Sequence, residues 1–533
     1  MTVITLLIVS HIRKTKNTER ELRESFGKSP KKTNYSLNSI ETYRIYKTAN
    51  SDTSEYIDDI TWDDLDMDEV FKRINVCHTS VGEEYLYNCL HEPQFELSRL
   101  EMREAFISRL KEQPEERFKI QLCLAKLGKV NFNGIPDLIY NSGGKLLKYP
   151  VIYAILSIIP LLCSVFLFIN LSAGTVCLLI SFAVNVIVYL KTKRKIETSL
   201  PAVKYFSSLI WCCGNIQKIK ILQSEPFITQ LRQLFEIFKP LMRNGADIME
   251  VKKYDDFIGL FLLYWRILFL SDVKNYNKVF AGIMKRREQF HELYKTLGEI
   301  DLSVCVLSFR ETLPFYSKPV FHDENRIKFE EIYHPLLIDP VPNSGIIKNN
   351  SIITGSNASG KSTFIKTLAI NGILAQTIFT CTAKEFSARF SLVMTSMALR
   401  DNLSEGESYF IAEIKSLKRI LDKMQTVYCV CFIDEILRGT NTIERIAASA
   451  SILNYLNGKD CLCVSASHDI ELAQMLGDKL DNYHFREQFT DDGMVFDYKI
   501  RQGISNTRNA IKLLRYMNFD NEIVENAESL ADK

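Results

Sequence analysis

The stretch Ser351-Ile-Ile-Thr-Gly355-Ser-Asn-Ala-Ser-Gly360-Lys361-Ser362-Thr363 decides the fold of the C-terminal part of this chain. Four strand-like residues lead into the pattern G-x-x-x-x-G-K-[ST], and Phe364, Ile365 and Leu368 continue it as a helix. Strand, glycine loop and helix in that order form a phosphate cradle. The glycines let successive backbone N–H groups turn toward phosphate oxygens, and the helix offers its positive end to the same anion. Gly355, Ser356, Asn357, Ala358, Ser359, Gly360, Lys361, Ser362 and Thr363 are therefore the expected nucleotide-binding residues. Lys361 is expected to reach the β and γ phosphates of ATP, and Ser362 to bind Mg²⁺.

Further along, Val427 to Ile433 is a near-continuous apolar run that ends in Asp434 and Glu435, as a buried parallel strand before two carboxylates would. Asp434 is the expected holder of the Mg²⁺ shell, and Glu435 the residue that orients or deprotonates the attacking water. Another strand-like run, Cys461 to Ser465, ends near His468. A lone histidine is usually structural, but one at a strand end in such a domain is placed to contact the γ-phosphate. From about residue 320 onward, short β-rich runs alternate with helices. This predicts an α/β P-loop ATPase domain with a mostly parallel sheet over residues 321–533.

Upstream the texture is helical. In Ser224 to Leu241, Ile228, Leu231, Phe235 and Phe238 recur at helical spacing behind Pro226. Two helical blocks, 56–148 and 191–320, read as the two parts of an all-α lever or core domain. Between them, Tyr149 to Leu190 holds 42 positions without a charge, where one bilayer crossing needs about 20. The run breaks near Asn170 to Gly174 into segments of about 151–169 and 171–190, which predicts a transmembrane helical hairpin in contact with the lipid bilayer. Lys145 and Lys148 precede it, and Lys191, Lys193, Arg194 and Lys195 follow it. The positive-inside bias then puts both flanks, and with them the ATPase and helical domains, on the cytoplasmic side of the cell membrane. Met1 to Ile12 is apolar but short for a crossing and lacks the marks of a signal peptide, so it reads as an interfacial anchor or clipped helix. Residues 13–55 are polar and read as a linker. The acidic stretch from Asp58 to Glu69 reads as a solvated helix start.

With 66 Lys+Arg against 64 Asp+Glu, the formal charge is +2, so no global basic field marks a nucleic-acid binder. Thirteen cysteines without framework spacing point to a reducing compartment. Cys429-x-Cys431 and Cys461-x-Cys463 resemble two halves of a metal site, but a shared face of a buried strand explains them better.

Together these motifs resemble the MutS-type ATPases of the wider ABC ATPase class. Asp434-Glu-Ile-Leu-Arg-Gly-Thr-Asn-Thr442 resembles the family's D-E-I-G-R-G-T-S-T, with Leu437 and Asn441 as departures. Asp401-Asn-Leu-Ser-Glu-Gly-Glu-Ser-Tyr-Phe-Ile-Ala-Glu413 is similar to D-D-L-x-x-G-x-S-T-F-x-x-E, which in the family completes the neighbouring subunit's ATP site. Gly406 and Ser408 are the implied signature residues of that trans site. Ser465-Ala-Ser-His468, Tyr333-His-Pro335 and Gly503 to Ala510 resemble the family's T-A-T-H, R-H-P and G-x-S-x-G-I segments, respectively. The phosphate loop keeps Asn357 but has Ser356, Ala358 and Ser359 where mismatch-repair members usually carry Pro, Met and Gly. Thr79-Ser-Val-Gly82-Glu-Glu-Tyr-Leu86 resembles the start of the helical core. About 60 residues precede it, fewer than the family's mismatch-recognition and connector domains need, and no Phe-x-Glu wedge occurs in them. Phe329-Glu-Glu331 fits that wedge only by chance.

The resemblance implies a Mg-dependent ATP hydrolase, homodimeric, that couples ATP turnover to conformational change and binds mismatched or branched DNA. The alternative is a membrane-associated ATP-dependent scaffold or signalling switch that binds no nucleic acid. An ABC transporter subunit is disfavoured, since two crossings make no pathway and the Leu-Ser-Gly-Gly-Gln signature is absent.

Overall fold

The placement of charge and apolar residues sorts the chain into two compact units. The computed structural model describes residues 16–30, 37–50, 55–130, 134–140, 146–147, 149–196, 199–219, 224–245, 264–356, 359–397, 409–438, 440–490, 493–504, 514–515, 517 and 519–531. The apolar N-terminal segment expected at 1–12 lies outside them.

The first unit comprises Met1–Asp52, Asn75–Asn88 and Ala105–Phe309 and is helical among its described residues. Its helices include α1 (Pro150–Phe166), α2 (Leu171–Ile196), α3 (Ser271–Lys285) and α4 (Arg287–Arg310). Phe206, Phe238 and Phe290 meet edge to face at ring separations of 5.1 to 6.1 Å and centre one part of its core. Thr79 caps the helix that starts at Ser80, its hydroxyl accepting from the Gly82 amide at 2.9 Å, and Asp301 of α4 holds that cap by accepting from the Thr79 amide at 2.9 Å and the Thr79 hydroxyl at 2.7 Å. A Cβ at Gly82 would collide with that carboxylate, which is the physical reason for glycine in the Thr79–Leu86 segment.

The polar stretch 13–55, expected to be a linker, is instead helical over most of its described residues. Residues 16–25 are helical, and helices follow at Leu37–Ile40 and Thr42–Ala49. Three of the apolar side chains there, Leu22, Ile40 and Tyr43, are buried, while Ile45 is exposed. Arg23 pairs with Glu115 at 3.0 and 3.1 Å and lies over the Phe118 ring, while Arg117 lies over Phe26. Low overall hydrophobicity misleads here because a few buried anchors and stacked guanidinium groups suffice to seat a short arm.

The 42-residue uncharged run forms a helical hairpin, α1 and α2 joined at 167–170. The helices are offset from the sequence boundaries: α1 ends at Phe166, and α2 runs on to Ile196 and includes the basic residues after Leu190. Asn185 of α2 donates to the Leu156 carbonyl of α1 at 2.9 Å, tying the two together. Most large apolar side chains of the hairpin face outward, and Phe168 at its tip is 93% exposed. Among the described residues, α2 is the one helix long and apolar enough to cross a membrane; α1 is equally apolar in character but shorter, at 17 residues.

The second unit comprises Thr53–Ile74, Cys89–Glu104 and Arg310–Lys533. This division departs from the sequence boundaries, because two N-terminal pieces belong with the C-terminal domain. The acidic stretch explains the first piece. Asp58 caps the helix Asp59–Asp64, Asp64 accepts from the Thr395 hydroxyl at 2.7 Å and the Met397 amide at 3.0 Å, and Asp66 pairs with Lys366 at 2.8 Å. Several of the carboxylates expected to be solvated are instead fastened to the domain.

Among the described residues, ten strands form two sheets: β1 (Val320–Phe321), β2 (Ile327–Ile332), β3 (Asn343–Ile347), β4 (Ser351–Thr354), β5 (Glu385–Ala388), β6 (Leu392–Ser396), β7 (Cys429–Asp434), β8 (Cys461–Ser467), β9 (Asp481–Thr490) and β10 (Gly493–Gln502). The larger sheet has the order β10-β9-β4-β8-β7-β6 and is parallel except for the β9–β10 pair. This is the expected mostly parallel α/β sheet. A smaller sheet, β1-β5-β2-β3, stands beside it and was not foreseen. Helices α5 (Lys361–Thr377), α6 (Tyr409–Lys423) and α7 (Thr442–Asn457) belong to this unit. Every residue of β4 and β8 is buried, which is why these strands read as continuous apolar runs. Cys429 aligns with Cys461 and Cys431 with Cys463 across β7 and β8, all four buried. Buried in register on neighbouring strands, these cysteines pack as small core residues.

Candidate nucleotide site

The carboxyl ends of β4, β7 and β8 lie side by side, with Thr354 opposite Ser467 and Asp434 opposite Ala466. Ligands of open parallel sheets bind at this edge. From β4 the chain enters the glycine loop, in which Gly355 has φ +145°; a Cβ there would stand 2.9 Å from the Phe485 carbonyl oxygen, so only glycine fits. Gly360 caps α5, whose first residue is Lys361. Lys361 Nζ donates to the carbonyls of Gly355 at 2.7 Å and Ser356 at 2.8 Å, curling over its own loop. The amides at the start of α5 and the buried lysine give this corner a positive field suited to an anion. Asn357 and Ala358 lie outside the described residues; Ser359 is buried on the loop, and Thr363 follows Ser362 in the first turn of α5.

Asp434 ends β7. Burial raises its pKa above the ordinary carboxylate value, against the lowering effect of a hydrogen bond from Ser362. Its Oδ1 is buried with no hydrogen-bond partner. An orphaned carboxylate oxygen beside a serine hydroxyl fits a hard cation such as Mg²⁺, which supplies the positive charge that the buried carboxylate otherwise lacks. Glu435 sits in the left-handed region at φ 55°, its amide donating to the Ala466 carbonyl at 3.0 Å. Its two carboxylate oxygens face His468 Nε2 and Arg438 Nε, the latter at 2.9 Å. The His468 contact, helped by Arg438 and Lys361, lowers the pKa of Glu435 and keeps it ionised. The other ring nitrogen of His468 lies 3.1 Å from the Gly355 carbonyl and 3.4 Å from Lys361 Nζ. Lys361, Glu435 and His468 thus form one connected cluster, with Asp434 and Ser362 next to it.

Three features of the site were not read from the sequence. Leu437 stands in the left-handed region at φ 57°, at the position where the motif's glycine would stand. A branched side chain there costs about 1–2 kcal/mol, and the Leu437 amide is held by the Glu413 carboxylate of α6. Burial raises the Glu413 pKa. The Glu413 segment is expected by resemblance to complete a neighbouring subunit's site; within its own chain Glu413 braces the turn after β7. Gly406 and Ser408 lie outside the described residues. The second feature is the pair of Arg445 and Asp469, bonded at 2.7 and 3.0 Å, which fixes the residue after His468. The third is a cavity of about 450 Å³ reaching from Lys361, Ser362 and Thr363 to Leu337, Val341 and Tyr498. Asn343 shapes one wall by bonding the Tyr498 carbonyl at 3.0 Å and the Ile500 amide at 2.9 Å. An aromatic in a stretch of alternating residues was the signal available for Tyr498, and it does not distinguish a pocket wall from a sheet face.

Residues 351–533 match the family model for MutS domain V. This chain carries the MutS family's domain V. Relatives similar to it include the DNA mismatch repair protein MutS of Pseudothermotoga lettingae, 27% identical over 268 residues, which are 48% of this chain and 33% of the relative. The MutS of Bacillus velezensis is 27% identical over 270 residues, 48% and 31% of the two chains. Human MutS protein homolog 4 is 30% identical over 241 residues, 42% and 25% of the two chains. The chain thus spans about a third of the length of the first of these curated relatives. Of the motifs named above, Tyr333, His334 and the described phosphate-loop residues Ser356 and Gly360 to Thr363 line the cavity, while Asp434, Glu435 and His468 gather at the ends of β7 and β8 beside Lys361.

Proposed function

We propose that this chain is a membrane-anchored MutS-like ATPase that binds ATP with Mg²⁺, hydrolyses it in a homodimer and uses the cycle to drive conformational change on DNA. The convergence of Lys361, Asp434, Glu435 and His468 at one sheet edge, beside a cavity of nucleoside size, carries the nucleotide part of this proposal. Phosphates would draw Lys361 away from the Gly355 and Ser356 carbonyls, with Asp434 and Ser362 holding the metal. Glu435 would orient the attacking water and His468 would meet the γ-phosphate. The Tyr498 ring offers a face on which a base can stack. Glu435→Gln is expected to preserve ATP binding and slow hydrolysis at least about 100-fold; undiminished turnover would refute the catalytic assignment.

The relatives' names supply the DNA part, and the α1–α2 hairpin supports the membrane part: its outward faces are apolar and basic residues flank its ends. Protection of the hairpin, but not of the ATPase unit, from protease added to the cytoplasmic face of membrane vesicles tests the anchoring and its sidedness. A second reading, an ATP-driven membrane switch without nucleic acid, is favoured by the formal charge of only +2. Binding of solubilised protein to duplex, mismatched and branched DNA over a salt series separates the two, because phosphate contacts give a steep loss of affinity with salt. Absence of binding at low salt selects the second.

A further inference from the structure

We infer that residues 264–270 form a third membrane-contacting element, lying in the cytoplasmic headgroup boundary of the bilayer beside the α1–α2 hairpin. The inference rests on the membrane reading of that hairpin. In sequence, Phe257 to Leu270 is an apolar run of 14 residues with Arg266 its one charge. Such a run is too short to cross and suits either a core helix or an interfacial segment. The described part decides between these. Residues 264–268 are helical, and Tyr264 and Trp265 are 62% and 47% exposed, which a core helix would not allow. The segment is nevertheless fixed to the hairpin: Asn185 of α2 donates to the Leu268 carbonyl at 2.7 Å and to Leu156 of α1, and Phe269 meets Phe182 edge to face.

That amide sets the depth. Asn185 lies six residues before the first flanking charge, Lys191, so at 1.5 Å per residue Leu268 is held about 9 Å inside the level of that charge. This is the boundary between headgroups and acyl chains, where Trp and Tyr concentrate. Lys191, Lys193, Arg194 and Lys195 just beyond it favour anionic lipid.

Tryptophan quenching tests this in the full chain, reconstituted in bilayers containing phosphatidylcholine brominated either near the glycerol or near the chain ends. Trp62 is buried in the other unit and stays as a constant background; Trp211→Phe removes the remaining competitor. Trp265 is expected to lose at least about half its emission to the shallow bromines and less to the deep ones. A second variant, Leu179→Trp with Trp211→Phe and Trp265→Phe, reports the middle of α2 and is expected to show the reverse order. If Leu179→Trp is quenched from the deep position while Trp265 is untouched, the third element is refuted and the hairpin stands. If neither is quenched, the membrane reading itself fails and the inference with it.

Discussion

Val430, Phe432 and Ile433 of β7 and Ile155, Leu162 and Leu179 of the α1–α2 hairpin are drawn from the same residue classes, yet their fates are opposite. The first group is sealed within the parallel sheet; the second faces outward, with Leu179 68% exposed. An uninterrupted apolar run therefore states only that water is to be excluded. Which phase replaces water depends on whether other elements of the chain cover the run. Strands β6 and β8 flank β7 in the sheet, whereas the outer faces of α1 and α2 are left bare.

The largest effect that would break this contrast lies in the sheet. Phe432→Ala is expected to lower stability by about 3–5 kcal/mol, since the cavity cannot refill from fixed neighbours. The urea midpoint of the solubilised protein reads it, and a loss below about 1 kcal/mol would mean that the strand is not sealed. Next comes the buried pair of Glu104 and Arg310, bonded at 2.7 Å, with Lys318 at 2.8 Å on the other carboxylate oxygen. Burial raises the Glu104 pKa, but the two cations outweigh it and leave it lowered. Its contribution is accordingly present above the unfolded carboxylate pKa and is lost as pH falls through the lower folded value. Glu104→Gln is expected to cost about 3 kcal/mol at neutral pH and to flatten the acid side of the stability–pH curve, which unfolding midpoints across pH 3–7 would register.

In the hairpin the order of sensitivity reverses. Leu179→Lys places a charge near the middle of α2 and is expected to oppose membrane insertion by about 2.5–3.5 kcal/mol, seen as protein shifting from the membrane pellet to the carbonate-soluble fraction. Leu179→Ala is the smallest change: an exposed truncation that moves the urea midpoint of solubilised protein by no more than about 0.5 kcal/mol. If Leu179→Ala proved as costly as Phe432→Ala, the hairpin would be a covered core and the contrast would collapse.

The same contrast explains what could be read in advance. The phosphate loop, Asp434, Glu435 and His468 were legible because local chemistry specifies them: glycines for backbone curvature, carboxylates at the end of an apolar strand, a histidine at the next strand end. Leu437 was visible as a departure from a glycine, but its left-handed backbone and the Glu413 brace depend on α6 arriving from elsewhere in the chain. Asp64 and Asp66 read as solvated because the Thr395 and Lys366 partners that bind them are some 300 residues away in sequence. Arg23 and Tyr43 were lost in a polar stretch for the same reason.

By itself, the sequence determined the class of the C-terminal domain, the strand–glycine loop–helix order at 351–377 and the existence of an apolar hairpin, because each is written in neighbours along the chain. Only the tertiary structure decided that the acidic helix Asp59–Asp64 belongs with the C-terminal unit, that Tyr498 walls the cavity and that Asn185 holds a third apolar segment against the hairpin. Those arrangements rest on hydrogen bonds and packing between residues far apart in sequence, whose pairing no local pattern encodes.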